Sequence, residues 1–147
     1  EAHLYLWTIN SYSAGYSRGL LDAVDVCKAL GFKPITNIVW TKPQSNPTPY
    51  GQRAVELCLF GARWRKGMHR EVMYKGTTNP ECVANPGLVK SVDWFTADRR
   101  DHSRKPDEFY NYVMKRSQCP YLELYSRTTH PGWNVVGNPI DKYTIGE

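Results

Sequence analysis

The stretch that decides the reading is His102-Ser103-Arg104-Lys105-Pro106-Asp107-Glu108, followed by Leu122-Glu123-Leu124-Tyr125-Ser126-Arg127, then Pro131-Gly132-Trp133 and Gly137-Asn138. A basic turn feeds a helix start. Pro106 suits a first helical position, Asp107 and Glu108 meet the positive end of the helix dipole, and Lys115 and Arg116 meet its negative end. Phe109, Tyr112, Val113 and Arg116 give an inward stripe, so a helix is predicted over residues 106–118. A short apolar strand, 121–125, follows and ends in an acid, an aromatic and an arginine; Trp133 to Val136 reads as one more strand.

Working outward, His3 to Asn10 is apolar at nearly every position, the pattern of a strand buried on both faces in a parallel sheet. It has no element before it, so the reading expects further sequence upstream and an incomplete N-terminus. A helix is predicted over 17–30 from Leu20, Leu21, Val24, Cys27 and Leu30, with Gly31 as its C-terminal cap. Ile35 to Lys42 is a second strand stopped by Pro43, residues 44–52 an exposed loop, and Ala54 to Phe60 a third strand able to pair antiparallel with the second. Residues 62–90 form a basic, turn-rich insertion, and Val92 to Ala97 a short strand. The alternation predicts one α/β domain over residues 1–147: a mostly parallel, Rossmann-like sheet with one antiparallel hairpin.

Composition bounds the function. With 41% hydrophobic residues the chain can bury a core, and its net charge of +5 suits an anionic partner. The four cysteines form no CxxC pair and lack histidines at ligand spacing, so no metal is expected; their scatter points to a reducing compartment. No apolar run is long enough to span a membrane.

Three groups of residues carry candidate chemistry. In open α/β sheets, ligands bind beyond the carboxyl ends of strands. There, Glu123 and Arg127 could offer an acceptor and a donor fork to ribose hydroxyls, and Tyr125 and Trp133 flat surface to a purine. Read alone, that segment is better accounted for as a strand with a surface ion pair and a core aromatic. Lys105, just before a helix N-terminus, could meet a carboxylate or simply be solvated; Asn138 could bond a ribose or fill a turn. Finally, Arg63, Arg65, Lys66 and Arg70 lie among Trp64, His69, Tyr74 and Lys75. Phosphate contact with base stacking and a solvated basic loop account equally for that composition.

Taken in order, these segments resemble the S-adenosylmethionine-dependent N6-adenine methyltransferases that include the eukaryotic messenger-RNA adenosine methyltransferases and their bacterial and phage DNA-methylating relatives. His3 to Thr8, Gly31-Phe32, Val39 to Pro43 and Glu56 to Gly61 carry the resemblance with the segments already quoted, so it covers nearly the whole chain. It implies a Rossmann-like fold and S-adenosylmethionine as cofactor. Lys105 would meet the methionine carboxylate, Arg127, Thr128 and Thr129 would line the ribose, and Asn138 would sit at the adenosine end. The position after Asn138, usually polar in that family, is Pro139 here.

The family works through an Asp-Pro-Pro-aromatic run, and no such run occurs in these residues; Asn46-Pro47-Thr48-Pro49-Tyr50 is only a superficial echo. The resemblance places the run upstream of the segment matching His3, so no catalytic residue is assigned within 1–147. The expectation is methylation of adenine N6 in nucleic acid, DNA before RNA, by a cytoplasmic prokaryotic or phage protein acting as a homo- or heterodimer. The rival expectation is a catalytically inactive family member that binds nucleic acid or supports an active partner. A nicotinamide dehydrogenase is disfavoured because the chain has no GxGxxG run.

Overall fold

In the computed structural model, residues 2–10, 18–48, 51–63, 93–101, 104–117 and 119–137 are described. They form β1 (Ala2–Thr8), α1 (Leu20–Ala29), β2 (Lys33–Thr48), β3 (Gly51–Arg63), β4 (Trp94–Thr96), α2 (Asp107–Arg116), β5 (Tyr121–Ser126) and β6 (Trp133–Gly137). Every predicted strand and helix has a counterpart. Of the predicted insertion at 62–90, Ala62 and Arg63 belong to β3, and the rest lies outside the described residues, as do His102, Ser103 and Asn138.

Four strands form one sheet in the order β1-β3-β2-β4, and β5 and β6 pair separately. β3 is antiparallel to both β1 and β2, whereas β4 is parallel to β2. Hence β1, β2 and β4 run the same way and β3 runs against them. The expected mostly parallel sheet is therefore corrected: these residues build a mixed sheet in which two of the three pairings are antiparallel. The cause is the hairpin. β3 returns directly from β2 and takes the slot beside it, separating β1 from the strand it would otherwise join through α1.

The register explains why β1 is apolar throughout. Tyr5 and Trp7 pack on the core beneath α2, while Leu4 and Leu6 pack on the opposite face with Ala23 and Cys27 of α1. Both faces thus meet a helix, yet every β1 residue is only half-buried, because the strand forms an edge among the described residues. β3 follows the same alternation. Cys58, Phe60 and Ala62 face α2, and Leu59 faces α1.

Gly31 ends α1 at φ +79°, with Phe32 N–H donating to Cys27 O at 3.0 Å and Gly31 N–H to Lys28 O at 2.9 Å. This is the left-handed glycine cap expected from sequence. Leu21 and Leu30, expected inward, are exposed; Ala23 and Cys27 carry the buried stripe instead. β2 does not stop at Pro43. It runs on through Pro47 to pair with β3, and the register slips between Thr41 and Asn46, so Pro43 falls in the irregular segment where no ladder N–H is needed.

Phe109 of α2 lies 4.7 Å from Trp7 and 5.9 Å from Tyr5, centroid to centroid, which seats the helix on the sheet. Trp133 stacks on Tyr121 at 4.9 Å and meets Tyr110 edge-on at 5.2 Å, fastening the β5–β6 pair to α2. Cys27 and Cys58 are buried free thiols, whereas Cys119 is disulfide-bonded.

Candidate functional site

The N-terminus of α2 and the C-terminal end of β5 face each other across a cleft of about 240 Å³, lined by Arg104, Lys105, Tyr110, Glu123, Tyr125, Arg127 and Thr128. Five residues singled out from sequence, Lys105, Glu123, Tyr125, Arg127 and Thr128, therefore converge on one concavity. Thr129 is exposed and does not line it. Asn138 lies outside the described residues. Trp133 is corrected from a purine surface to a core residue, because its ring is taken up by Tyr121 and Tyr110.

Lys105 enters the cleft from the residue before the cap of α2, where first-turn N–H groups already favour anions. Its ammonium lies 2.6 Å from Glu56 Oε2 and 4.7 Å above the Trp7 ring. Lys42 binds the other oxygen of Glu56 and sits 4.6 Å above Trp40. Burial pushes the Glu56 carboxyl up, but the two ammoniums outweigh it and hold the group below the usual carboxylate range.

Glu123 is fixed from two directions. The Tyr110 hydroxyl donates to its Oε1 at 2.9 Å, and the Ser126 hydroxyl lies 2.9 Å from its Oε2. Burial first, then the charge of Glu123, push the Tyr110 phenol above its ordinary range, so it stays protonated and a donor. Ser126 also lies 2.5 Å from Thr128 O and accepts from Thr128 N–H at 3.2 Å, which folds the chain back after β5. Thr128 Oγ1 is 2.9 Å from His130 Nε2, and the His130 ring stacks on Tyr110 at 3.3 Å. A carboxylate, three hydroxyls and an imidazole thus set one wall before any ligand arrives.

Tyr125 stands apart. It is 92% exposed and has φ +60°, a conformation unusual for a bulky residue and found where surrounding structure imposes it. Its ring is available to a flat ligand and contributes little to the core.

Sequence reasoning missed Tyr110, Ser126, His130 and Glu56. Ser126 lies three residues after Glu123, and Tyr110 adjoins the buried stripe, so both had a local signal. Glu56 and Lys42 meet Lys105 only through the β2–β3 hairpin, which spacing does not reveal. Of the basic candidates, Arg63 ends β3 with its guanidinium 5.0 Å from the Phe32 ring centre; Arg65, Lys66 and Arg70 lie outside the described residues. Among the described residues, no group of three or more His, Cys, Asp or Glu could hold a metal ion, and no helix is long and apolar enough to cross a membrane.

The MT-A70 family model matches residues 2–139. The chain is 30% identical over 116 residues to an Arabidopsis thaliana protein named N(6)-adenosine-methyltransferase MT-A70-like, a match covering 76% of this chain and 15% of that protein. It is 29% identical over 114 residues to a protein of Oryza sativa subsp. japonica named probable N(6)-adenosine-methyltransferase MT-A70-like, with the same 76% and 15% coverage. The chain thus spans 15% of the length of these curated relatives.

Proposed function

The chain belongs to the MT-A70 family, and on that premise we propose that it binds S-adenosylmethionine and supports methyl transfer to N6 of adenine in nucleic acid. The observation that carries the reading is the convergence of Lys105, Glu123, Tyr125, Arg127 and Thr128 on one cleft. Their donor set fits the cofactor part by part. Lys105 and the α2 N-terminus suit its carboxylate. Glu123 suits the ribose hydroxyls as acceptor, with Arg127 and Thr128 as donors beside it. The exposed Tyr125 ring suits the purine.

When bound, the cofactor supplies an electrophilic methyl group on its sulfonium. The adenine amino group is a poor nucleophile, because its lone pair is delocalised into the ring, so the acceptor has to be held in place. An Asp-Pro-Pro-aromatic run would do this, and the 147 residues contain none; the part assigned to these residues is cofactor holding. A base in a duplex must first leave the stack. The relatives are named for adenosine, which carries a ribose, and this favours RNA over the DNA expected from sequence.

The test is calorimetric binding of S-adenosylmethionine to the full-length protein, followed by tritiated-methyl transfer to adenine-containing RNA and DNA. Lys105→Ala and Arg127→Ala are each expected to weaken binding by about 1–3 kcal/mol, the range for charge-assisted hydrogen bonds. Unchanged affinity in both variants overturns the assignment. Tight cofactor binding without transfer to either nucleic acid favours the inactive, partner-supporting member instead.

A further inference from the structure

β5 and β6 run parallel in a regular register until the end of β5. Leu124 faces Val136 and Ser126 faces Gly137, so Tyr125 is an extra residue opposite nothing. That single insertion reverses the side-chain alternation. Tyr121 and Glu123 point to the inner face, Leu122 and Leu124 to the outer, and a continued strand would send residue 125 inward again. Instead Tyr125 is 92% exposed and Ser126, at 2%, takes the inward place where it meets Glu123 and Thr128. The bulge thus does two jobs: it sets the hydroxyl that supports Glu123 and turns the aromatic ring out.

What permits the bulge lies across the ladder. A Cβ built on Gly137 would stand 2.7 Å from both Ser126 N and Ser126 O, and 3.0 Å from Tyr125 C. All three are backbone atoms with no side chain to swing aside. Gly137 is not among the glycines with positive φ, so it is space and not its own conformation that requires glycine here. The unusual φ belongs to Tyr125 and is held by the neighbour's missing side chain.

We propose that Gly137 is a positioning residue of the cofactor site: by admitting the Ser126 peptide it holds the bulge that presents the Tyr125 ring to the cofactor's purine. This rests on the reading of the cleft as a S-adenosylmethionine site, and the two are separable. Gly137 touches no ligand; it acts through Tyr125 and Ser126.

The experiment uses the full-length protein with S-adenosylhomocysteine as probe. Hydroxyl-radical footprinting without ligand reads the bulge alone. Tyr125 is strongly modified in the parent, and Gly137→Ala lowers its modification several-fold as regular pairing turns the ring inward. Adding the probe protects Tyr125 in the parent; strong modification without protection refutes the cofactor reading while leaving the bulge intact. Calorimetry then compares Gly137→Ala, Tyr125→Ala and the double variant. Each single variant loses roughly 5- to 20-fold in affinity, the effect of about 1–2 kcal/mol for one stacking ring, and the double variant loses no more than the larger single. A double loss equal to the product, or parental modification of Tyr125 in Gly137→Ala, overturns the proposal. Should Gly137→Ala fail to fold, Tyr125→Gly is compared with Tyr125→Ala: the glycine variant melts higher if the left-handed conformation is enforced, and an equal or lower midpoint overturns it.

Discussion

The ammonium of Lys105 lies 2.6 Å from Glu56 Oε2, so the lysine at the mouth of α2 meets its first carboxylate within its own chain. Glu56 offers its other oxygen to Lys42, and the lysine side chains are only 10% and 23% exposed, for Lys42 and Lys105 respectively. Two ammoniums thus share one carboxylate between two indole rings. An ammonium has three donors, so Lys105 can hold a ligand carboxylate without releasing Glu56. The triad sets where that ammonium points.

Glu56→Gln keeps the shape of the triad and removes its negative charge. The unfolding free energy should fall by about 1–3 kcal/mol, between the values for exposed and buried pairs, read as a lower urea midpoint at unchanged slope. The native Glu56 carboxyl titrates below its ordinary value, so its contribution is complete above the usual carboxylate pKa and disappears as pH falls through the native one. A variant with the parental midpoint means that solvent screens the triad.

Tyr110→Phe deletes the hydroxyl that donates to Glu123 while leaving the ring against His130. Losing a hydrogen bond to a charged acceptor costs roughly 1.5–3 kcal/mol of stability. Cofactor affinity should fall with it, because Glu123 is then oriented by Ser126 alone of the two groups now holding it. Denaturation and calorimetry on the same preparation check both, and a variant as stable as the parent shows that water replaces the phenol.

Two histidines make the fold sensitive to mild acid. Burial, reinforced by the charge of Arg116, lowers His3 to about 4. Burial also lowers His130 to about 4, with Asp107 opposing and Arg104 adding to the shift. Both native values lie below the unfolded value of 6.5. Their neutral forms therefore stabilise the protein fully above pH 6.5, and that stability drains away as pH falls from 6.5 towards 4. The melting temperature should drop by several degrees between pH 7.5 and 5. His3→Gln, which retains a partner for the Ser117 hydroxyl now 2.6 Å from Nδ1, should flatten part of that slope. An unchanged slope in His3→Gln removes His3 from the account.

Local pattern made some of this architecture legible and left the rest hidden. The α2 boundaries, the Gly31 cap and the grouping of Lys105, Glu123, Tyr125, Arg127 and Thr128 follow from residues near one another in sequence or from an ordered set of motifs. The slot of β3 does not, because strand order depends on pairing partners and not on periodicity. The exposure of Tyr125 was equally invisible: alternation places it inward, and only the register against Gly137 reveals the extra residue. Glu56 and Lys105, 49 residues apart, met no rule of spacing.

Gly61 lies on β3 where Cys27 of α1 packs against the strand. A Cβ there would lie 2.7 Å from Cys27 Sγ and 3.3 Å from Phe32 Cβ. Gly61→Ala should destabilise the protein by about 1–3 kcal/mol through overpacking. Cys27→Ala removes the nearer atom, so the double variant should regain part of that loss, and thermal denaturation of the three variants measures the coupling. Strict additivity would place the strain elsewhere.

The last prediction concerns nucleic acid. Arg63 closes β3 and opens the basic run that continues with Arg65, Lys66 and Arg70. If these four side chains neutralise phosphates, each contact releases counterions, and the logarithm of the binding constant falls steeply with the logarithm of salt concentration. Replacing all four with alanine should make that slope shallower by up to roughly one unit per lost contact. It should weaken binding to unrelated sequences alike, since phosphate contacts carry no base information. Fluorescence anisotropy with a single-stranded adenine-containing RNA, across a salt series, supplies the slope. Stacking by neighbouring aromatics depends less on salt, so a variant that loses affinity at constant slope points to Trp64 or Tyr74 instead. Parental affinity together with a parental slope means that the run is a solvated surface and that nucleic acid is held elsewhere.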